Sequence, residues 1–198
     1  MSNSQSSQLP PITRELFEEI ANKCGTDKSR IHGYHRFFTL FLSQLSRGDA
    51  FTIIEIGYGQ GESIQLWKTL FPNSDLICLD RDISKTGEGY TVIKADQNSI
   101  DSLQEAIQNV SKPVQLIIDD GSHHPQHQLT TFSKLFSELL EEGGFYIVED
   151  IETSYWLAGE LYGNPMRFGL FSRWSAIEAF KLCIDYTNRL FISEEDKN

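Results

Sequence analysis

The chain has 198 residues, a length that suits one domain with a sizeable core. Its formal net charge is −11 and it carries no basic stripe, which argues against nucleic acid or an anionic membrane surface as partner. Its cysteines, Cys24, Cys78 and Cys183, are odd in number, far apart and in no C-x-x-C pair. They read as reduced thiols of a cytoplasmic protein, not as a disulfide frame or a zinc site, and no apolar run is long enough to span a membrane.

Residues 1–12 are polar and rich in Ser and Gln, and predict a disordered tail with neither the basic nor the apolar region of a signal peptide. Residues 13–198 read as a single domain. Leu16, Phe17 and Ile20 share one helical face over Thr13 to Cys24, and Gly25 can close that helix. Gly25-Thr26-Asp27-Lys28 is a polar turn. His32-Gly33-Tyr34-His35 then leads into a second apolar helix ending near Leu45. Spacing alone favours a helical lid over one sheet edge here, against the other reading, a turn that covers a ligand.

Phe51 to Ile56 is an apolar run of strand length, and Glu62 to Phe71 has helical periodicity. Between them stand Gly57, Gly59 and Gly61. Strand, glycine turn and helix form the opening unit of a doubly wound, mostly parallel α/β sheet, where a ligand meets bare backbone. A dinucleotide site wants G-x-G-x-x-G; here the spacing is G-x-G-x-G, and Glu55 closes the strand. A carboxylate there repels phosphate and suits a cationic ligand. The pattern resembles the first motif of the class I methyltransferases that use S-adenosylmethionine (SAM).

Leu76 to Asp80 reads as the second strand. Asp80 lies about twenty residues past the loop, where such folds place the acid that accepts both ribose hydroxyls. Gly87 to Gly89 is a turn and Tyr90 to Lys94 a third strand. Asp96 and Gln97 follow, placed either to bond an adenine amino group or to cap the helix from Ile100 to Val110. Val114 to Ile118 is the fourth strand and runs into Asp119-Asp120-Gly121-Ser122-His123-His124. Pro125 opens a long helix ended by Gly143-Gly144. The fifth strand, Phe145 to Val148, runs into Glu149-Asp150.

Two adjacent strands thus finish in acidic pairs at the end of the sheet that binds ligands. Clustered carboxylates repel one another unless a cation neutralises them, and oxygen ligands without nearby cysteine suit Mg²⁺ or Mn²⁺. His123, three residues past Asp120, stands where a general base is useful. Asp119 reads as structural. His127 faces either the site or solvent. His124, held extended by Pro125, should point away from His123.

Three stretches together resemble the metal-dependent macrolide sugar O-methyltransferases of the mycinamicin type. They are Gly25-Thr26-Asp27-Lys28 with His32-Gly33-Tyr34, Ile117-Ile118-Asp119-Asp120-Gly121-Ser122-His123, and Val148-Glu149-Asp150 with Thr153-Ser154-Tyr155-Trp156. The resemblance spans roughly residues 22–156. It implies a class I methyltransferase fold that uses SAM and Mg²⁺, with Asp120, Glu149 and Asp150 as metal ligands and His123 as base. It also implies that Thr26, Lys28 and Tyr34 lie near the cofactor, against the lid reading, and that the chain self-associates as a homo-oligomer. The methyl acceptor is then a small-molecule hydroxyl, with Tyr155, Trp156 and the loop from Leu157 to Phe171 walling its pocket.

The sequence departs from that family twice. It lacks the separate N-terminal auxiliary domain of the macrolide enzymes. After Trp156 it offers a loop and one helix, about Ser172 to Leu190, and so reads as short of the two strands that usually complete the sheet. Two other classes compete: a nucleotide-dependent oxidoreductase, disfavoured by the glycine spacing and Glu55, and a non-catalytic SAM-binding protein.

Overall fold

The computed structural model describes residues 9–108 and 110–197. Helices α1 (Arg14–Cys24), α2 (Asp27–Arg30) and α3 (His35–Leu42) precede strand β1 (Thr52–Ile56) and helix α4 (Glu62–Leu70). The hydroxyl of Thr13 accepts from the Leu16 amide to start α1, and Gly25, at φ 83°, ends it. The chain then alternates β2 (Asp75–Asp80), β3 (Lys85–Gly87), β4 (Tyr90–Lys94), α5 (Ile100–Ile107), β5 (Val114–Asp119), α6 (Pro125–Glu138) and β6 (Leu140–Val148). A 3-10 turn at Ile151–Tyr155, a ribbon of β7 (Gly159–Leu161) and β8 (Asn164–Met166), and helix α7 (Ala176–Arg189) follow.

The main sheet has six strands in the order β3-β4-β2-β1-β5-β6. Every pairing is parallel except β3 with β4. The expected doubly wound sheet is therefore present, and its direction of winding reverses between β1 and β5. That is the crevice where such sheets bind ligands.

Strand alternation sorts the core into two layers. Ile53, Leu76, Cys78 and Ile118 pack with Phe17, Phe38 and Trp67 beneath α1, α3 and α4. Ile54, Ile56, Leu79 and Ile117 pack with Leu103, Ile107 and Leu135 beneath α5 and α6. Trp67 is fully buried beside Phe38, with ring centroids 5.8 Å apart; truncation to Ala in such a place costs about 3–5 kcal/mol. Glu55 shares the face of Ile53, so its carboxylate points into the first layer and is itself 0% exposed.

Register brings the strand ends level. The Asp120 amide donates to the Ile56 carbonyl at 3.0 Å, and the Glu149 amide to the Asp119 carbonyl at 2.9 Å. The acidic pairs therefore abut at the end of β1. Gly57, at φ 92°, lies so close that a Cβ there would meet the Asp120 carbonyl oxygen at 2.2 Å, which only glycine avoids.

Several expectations need correction. The predicted tail is docked at its end: Ile12 is 2% exposed in the core, and the Pro10 carbonyl accepts from Arg47. Its first eight residues lie outside those described. The Gly87–Gly89 turn joins two paired strands, because β3 is a short polar edge without an apolar signature. Helix α6 ends at Glu138, and Gly143-Gly144 instead sit within β6, where the register against β5 shifts between Val114 and Leu116. The loop after Trp156 carries the β7–β8 ribbon. As expected, among the described residues no strand lies beyond β6 in the main sheet. No helix among them is long and apolar enough to cross a membrane.

Candidate active site

Two cavities open at the ends of β1 and β5. One, of about 400 Å³, is lined by Gly57, Gly59, Asp80, Asp96, Gln97, Asp120 and Tyr162. The other, of about 590 Å³, is lined by Thr26, Lys28, Gly59, Asp120, His123, Asp150, Trp156 and Tyr162. Gly57, Gly59, Asp120 and Tyr162 line both. A cofactor seated on the glycine loop would thus face the second cavity across Asp120.

In the first cavity Asp80 is tied to the loop. One oxygen accepts from the Tyr58 amide at 3.1 Å, the other from the amides of Asp82 and Ile83. Of a carboxylate's roughly four lone-pair sites these take three, which leaves one on Oδ2 for a ribose hydroxyl. Gly59 leaves open space where a Cβ would stand, and Gly61, at φ 90°, starts α4. Asp96 caps the Asn98 amide, and Ser99 caps α5. Gln97 lines the cavity, but its amide is committed at both ends: it donates to Asp119 at 2.7 Å and accepts from the Ser122 amide at 3.0 Å. It braces the Asp-Gly-Ser turn. Asp119 is structural, as expected, and burial pushes its carboxyl up to about 7.

In the second cavity Asp120, His123 and Asp150 each offer a donor atom within 4.8 Å of the others. The His123 Nε2 lies 3.9 Å from an oxygen of Asp120 and 3.9 Å from one of Asp150. Two carboxylates and an imidazole make a donor set suited to a divalent cation. Both His123 (φ 54°) and Asp150 (φ 49°) hold the left-handed conformation that non-glycine residues seldom adopt. The Thr153 hydroxyl secures that turn by donating to the His123 carbonyl, and the Tyr34 hydroxyl donates to Asp150, each at 2.5 Å. Burial, and then its bond to Asp150, raise the Tyr34 hydroxyl well above its ordinary pKa. His124 lies in extended backbone ahead of Pro125, with its ring against Phe168 and His127, so the two neighbouring imidazoles serve different places.

Lys28 is the feature that spacing did not disclose. It is 1% exposed. Its ammonium donates to Asp120 at 2.5 Å and to both oxygens of Glu149 at 2.8 and 2.9 Å, and lies 4.0 Å from Glu55. Burial opposes the charged form, but Glu149, Asp120 and Glu55 outweigh it and hold Lys28 protonated.

Several expected contacts are therefore engaged elsewhere. Glu149, expected beside a metal, is gripped by Lys28. Glu55 is turned away from both cavities, with one oxygen on the Ser63 hydroxyl at 2.7 Å. Tyr34 supports Asp150 from behind. Thr26 lines the second cavity and caps α2. Tyr162, at the tip of the β7–β8 ribbon and within the loop expected to wall the acceptor pocket, was not singled out by residue; its ring centroid is 5.9 Å from that of His123. Aromatic character inside a glycine-bounded loop was the available signal.

No family model matches the chain. It is 37% identical over 149 residues to an 8-demethyl-8-alpha-L-rhamnosyl tetracenomycin-C 2'-O-methyltransferase of Streptomyces olivaceus, covering 70% of this chain and 38% of that protein. It is 29% identical over 191 residues to the L-olivosyl-oleandolide 3-O-methyltransferase of Streptomyces antibioticus, covering 92% and 47%. Its fold matches that of the MycE methyltransferase from the mycinamycin pathway, solved with Mg, SAH and mycinamycin VI. That match has a TM-score of 0.78 and 25% identity over 90% of this chain and 47% of that one. The chain spans less than half the length of these relatives. In fold and sequence it is similar to the SAM-dependent methyltransferases. Within that class it resembles the sugar O-methyltransferases of the mycinamicin type, the group its three motifs indicated.

Proposed function

We propose that this chain is the catalytic domain of a SAM-dependent, metal-assisted O-methyltransferase acting on a hydroxyl of a small molecule, a sugar of a natural product. The observation that carries this reading is the convergence of Asp120, His123 and Asp150 in the second cavity, with Asp120 reaching the wall it shares with the first. The relatives named above supply the reaction class, and the Mg and SAH of the MycE complex agree with the donor set and the glycine cradle found here.

Asp80 and the Gly57–Gly61 loop would hold the ribose and the backbone-facing part of SAM, with Asp96 at the rim of the adenine end. Asp120 and Asp150 would hold a divalent cation, with His123 on its border. Such a cation, when bound, lowers the pKa of an acceptor hydroxyl. His123 would take that proton as the oxygen bonds to the methyl carbon from the face opposite sulfur and the methyl–sulfur bond breaks, leaving a neutral thioether; a base must stand within hydrogen-bond reach of the proton it removes. Trp156 and Tyr162 wall the acceptor side and hold the sugar in line, and positioning supplies much of the rate of such a transfer. Tyr34 and Thr153 keep the two strained residues in place.

Labelled SAM incubated with Mg²⁺ and a panel of rhamnosides, olivosides and polyols tests the reading. Transfer of label to a sugar hydroxyl is expected. Calorimetry that finds micromolar NAD binding and none of SAM would overturn it.

A further inference from the structure

Resting on the metal reading above, we propose that Lys28 is a resident counter-cation that competes with the divalent ion for Asp120 and Glu149, and that it moves onto Glu55 when the ion binds.

Three carboxylates, Glu55, Asp120 and Glu149, surround one ammonium, and two of them touch it. Glu55 and Glu149 are nearly inaccessible to water, at 0% and 4% exposed. Without a cation such a group would be strongly destabilised. Lys28 supplies that cation in the protein as it stands.

Geometry gives the conflict. Asp120 serves both cations: Oδ2 holds Lys28, while Oδ1 faces His123 Nε2 in the three-donor group. A divalent ion on Asp120 would therefore stand a few ångströms from the ammonium, and like charges that close repel strongly in a buried setting. Glu149, beside Asp150 in the chain, has both oxygens on Lys28. It can turn towards an ion only if the ammonium lets go.

The structure also provides a destination. Glu55 Oε1 is buried with no close hydrogen bond, the Trp67 indole being its uncharged neighbour, and it lies 4.0 Å from the Lys28 ammonium, just out of contact. A buried carboxylate oxygen without a close hydrogen bond is costly in a finished core. It becomes satisfied if the ammonium advances towards it. Lysine suits the task, being a compact charge on a flexible stem. In this view Lys28 is a positioning residue. It holds the acidic pocket together before metal arrives, and it sets how tightly metal is held by exchanging Glu149 for Glu55.

The test is Mn²⁺ binding, read by calorimetry and by the loss of the free-ion electron paramagnetic resonance signal, on the full chain without SAM. Lys28→Met should tighten Mn²⁺ by at least about tenfold, since a full positive charge is removed from beside the ion. Glu55→Gln should weaken it several-fold, because the displaced ammonium loses its receiving charge. A residue that merely props up the fold would weaken binding in both variants. Metal-free Lys28→Met should melt below the wild type, and the rise in Tm on adding Mn²⁺ should be larger. If Lys28→Met does not fold, Glu55→Gln and the Mn²⁺-bound wild-type crystal structure still decide. The latter should show the ammonium bonded to Glu55 and released from Glu149. Wild-type binding unchanged in both variants, or an ammonium still on Glu149 with metal present, would overturn the proposal alone. Absence of Mn²⁺ binding in wild type and both variants would overturn the metal reading with it. Binding only in Lys28→Met would support the proposal in its strongest form.

Discussion

The cavity beside Asp80 and the acidic pocket around Lys28 share the end of β1 but are made of different material. The first is mostly backbone: a glycine loop, with Asp80 held by three amides within a few residues of the strand ends. The second is side chains brought from afar. Lys28 reaches Asp120 across 92 positions and Glu149 across 121, and Tyr34 reaches Asp150 across 116. A backbone cradle is rigid and indifferent to single changes outside it. A pocket of charges depends on every partner, since removing one leaves the rest buried and unpaired. The first suits a constant cofactor, the second a step whose charge changes.

The sharpest way to break this contrast is to remove the metal. EDTA should abolish methyl transfer and Mg²⁺ should restore it, while calorimetry finds SAM affinity little altered. Activity that survives chelation would leave the pocket as a structural ion cluster. Next comes the base. His123→Ala should lower kcat by roughly a hundredfold or more, the usual worth of a positioned general base, and His124→Ala much less. Equal losses would mean that the left-handed turn at His123 matters more than its imidazole. On the other side of the wall, Asp80→Ala should weaken SAM by more than ~1 kcal/mol, as expected for losing hydrogen bonds to a charged acceptor. The metal affinity of that variant should stay put if the two cavities are independent.

The smallest effect concerns pH. Burial, and then the neighbouring His124, depress His127 from 6.5 to about 4. The unfolded chain therefore takes up this proton before the folded one as pH falls, so the contribution is present above about pH 6.5 and lost towards pH 4. His127→Asn should flatten the dependence of Tm on pH in that window, slightly, because the ring is only half-buried. An unchanged slope would place the acid sensitivity elsewhere.

Much of the fold was legible because its signals are local. Thr13 and Gly25 bracket α1, Pro125 opens α6, and the apolar runs of β1, β2, β4 and β5 fall within a residue of their predicted places. What periodicity missed has weak local chemistry. Strand β3 is a polar edge that pairs only because β4 lies beside it, and Gly143-Gly144 look like a helix stop but serve a bulge in β6.

The site divides along the same line. Local residue patterns are enough to give the glycine loop, the acid ending β2 and the acidic pairs ending β5 and β6, since each follows from a strand and its end. They also place His123 near Asp120, because three residues cannot carry it far. Which charges meet is settled by packing. Alternation along β1 turned Glu55 into the helix layer and away from the cavities, and the docking of α2 put the Lys28 ammonium among the carboxylates. The packing of α3 put the Tyr34 hydroxyl on Asp150. These contacts carry no mark in the local sequence, because an ion pair is specified by where two backbones come together and not by the residues beside either partner.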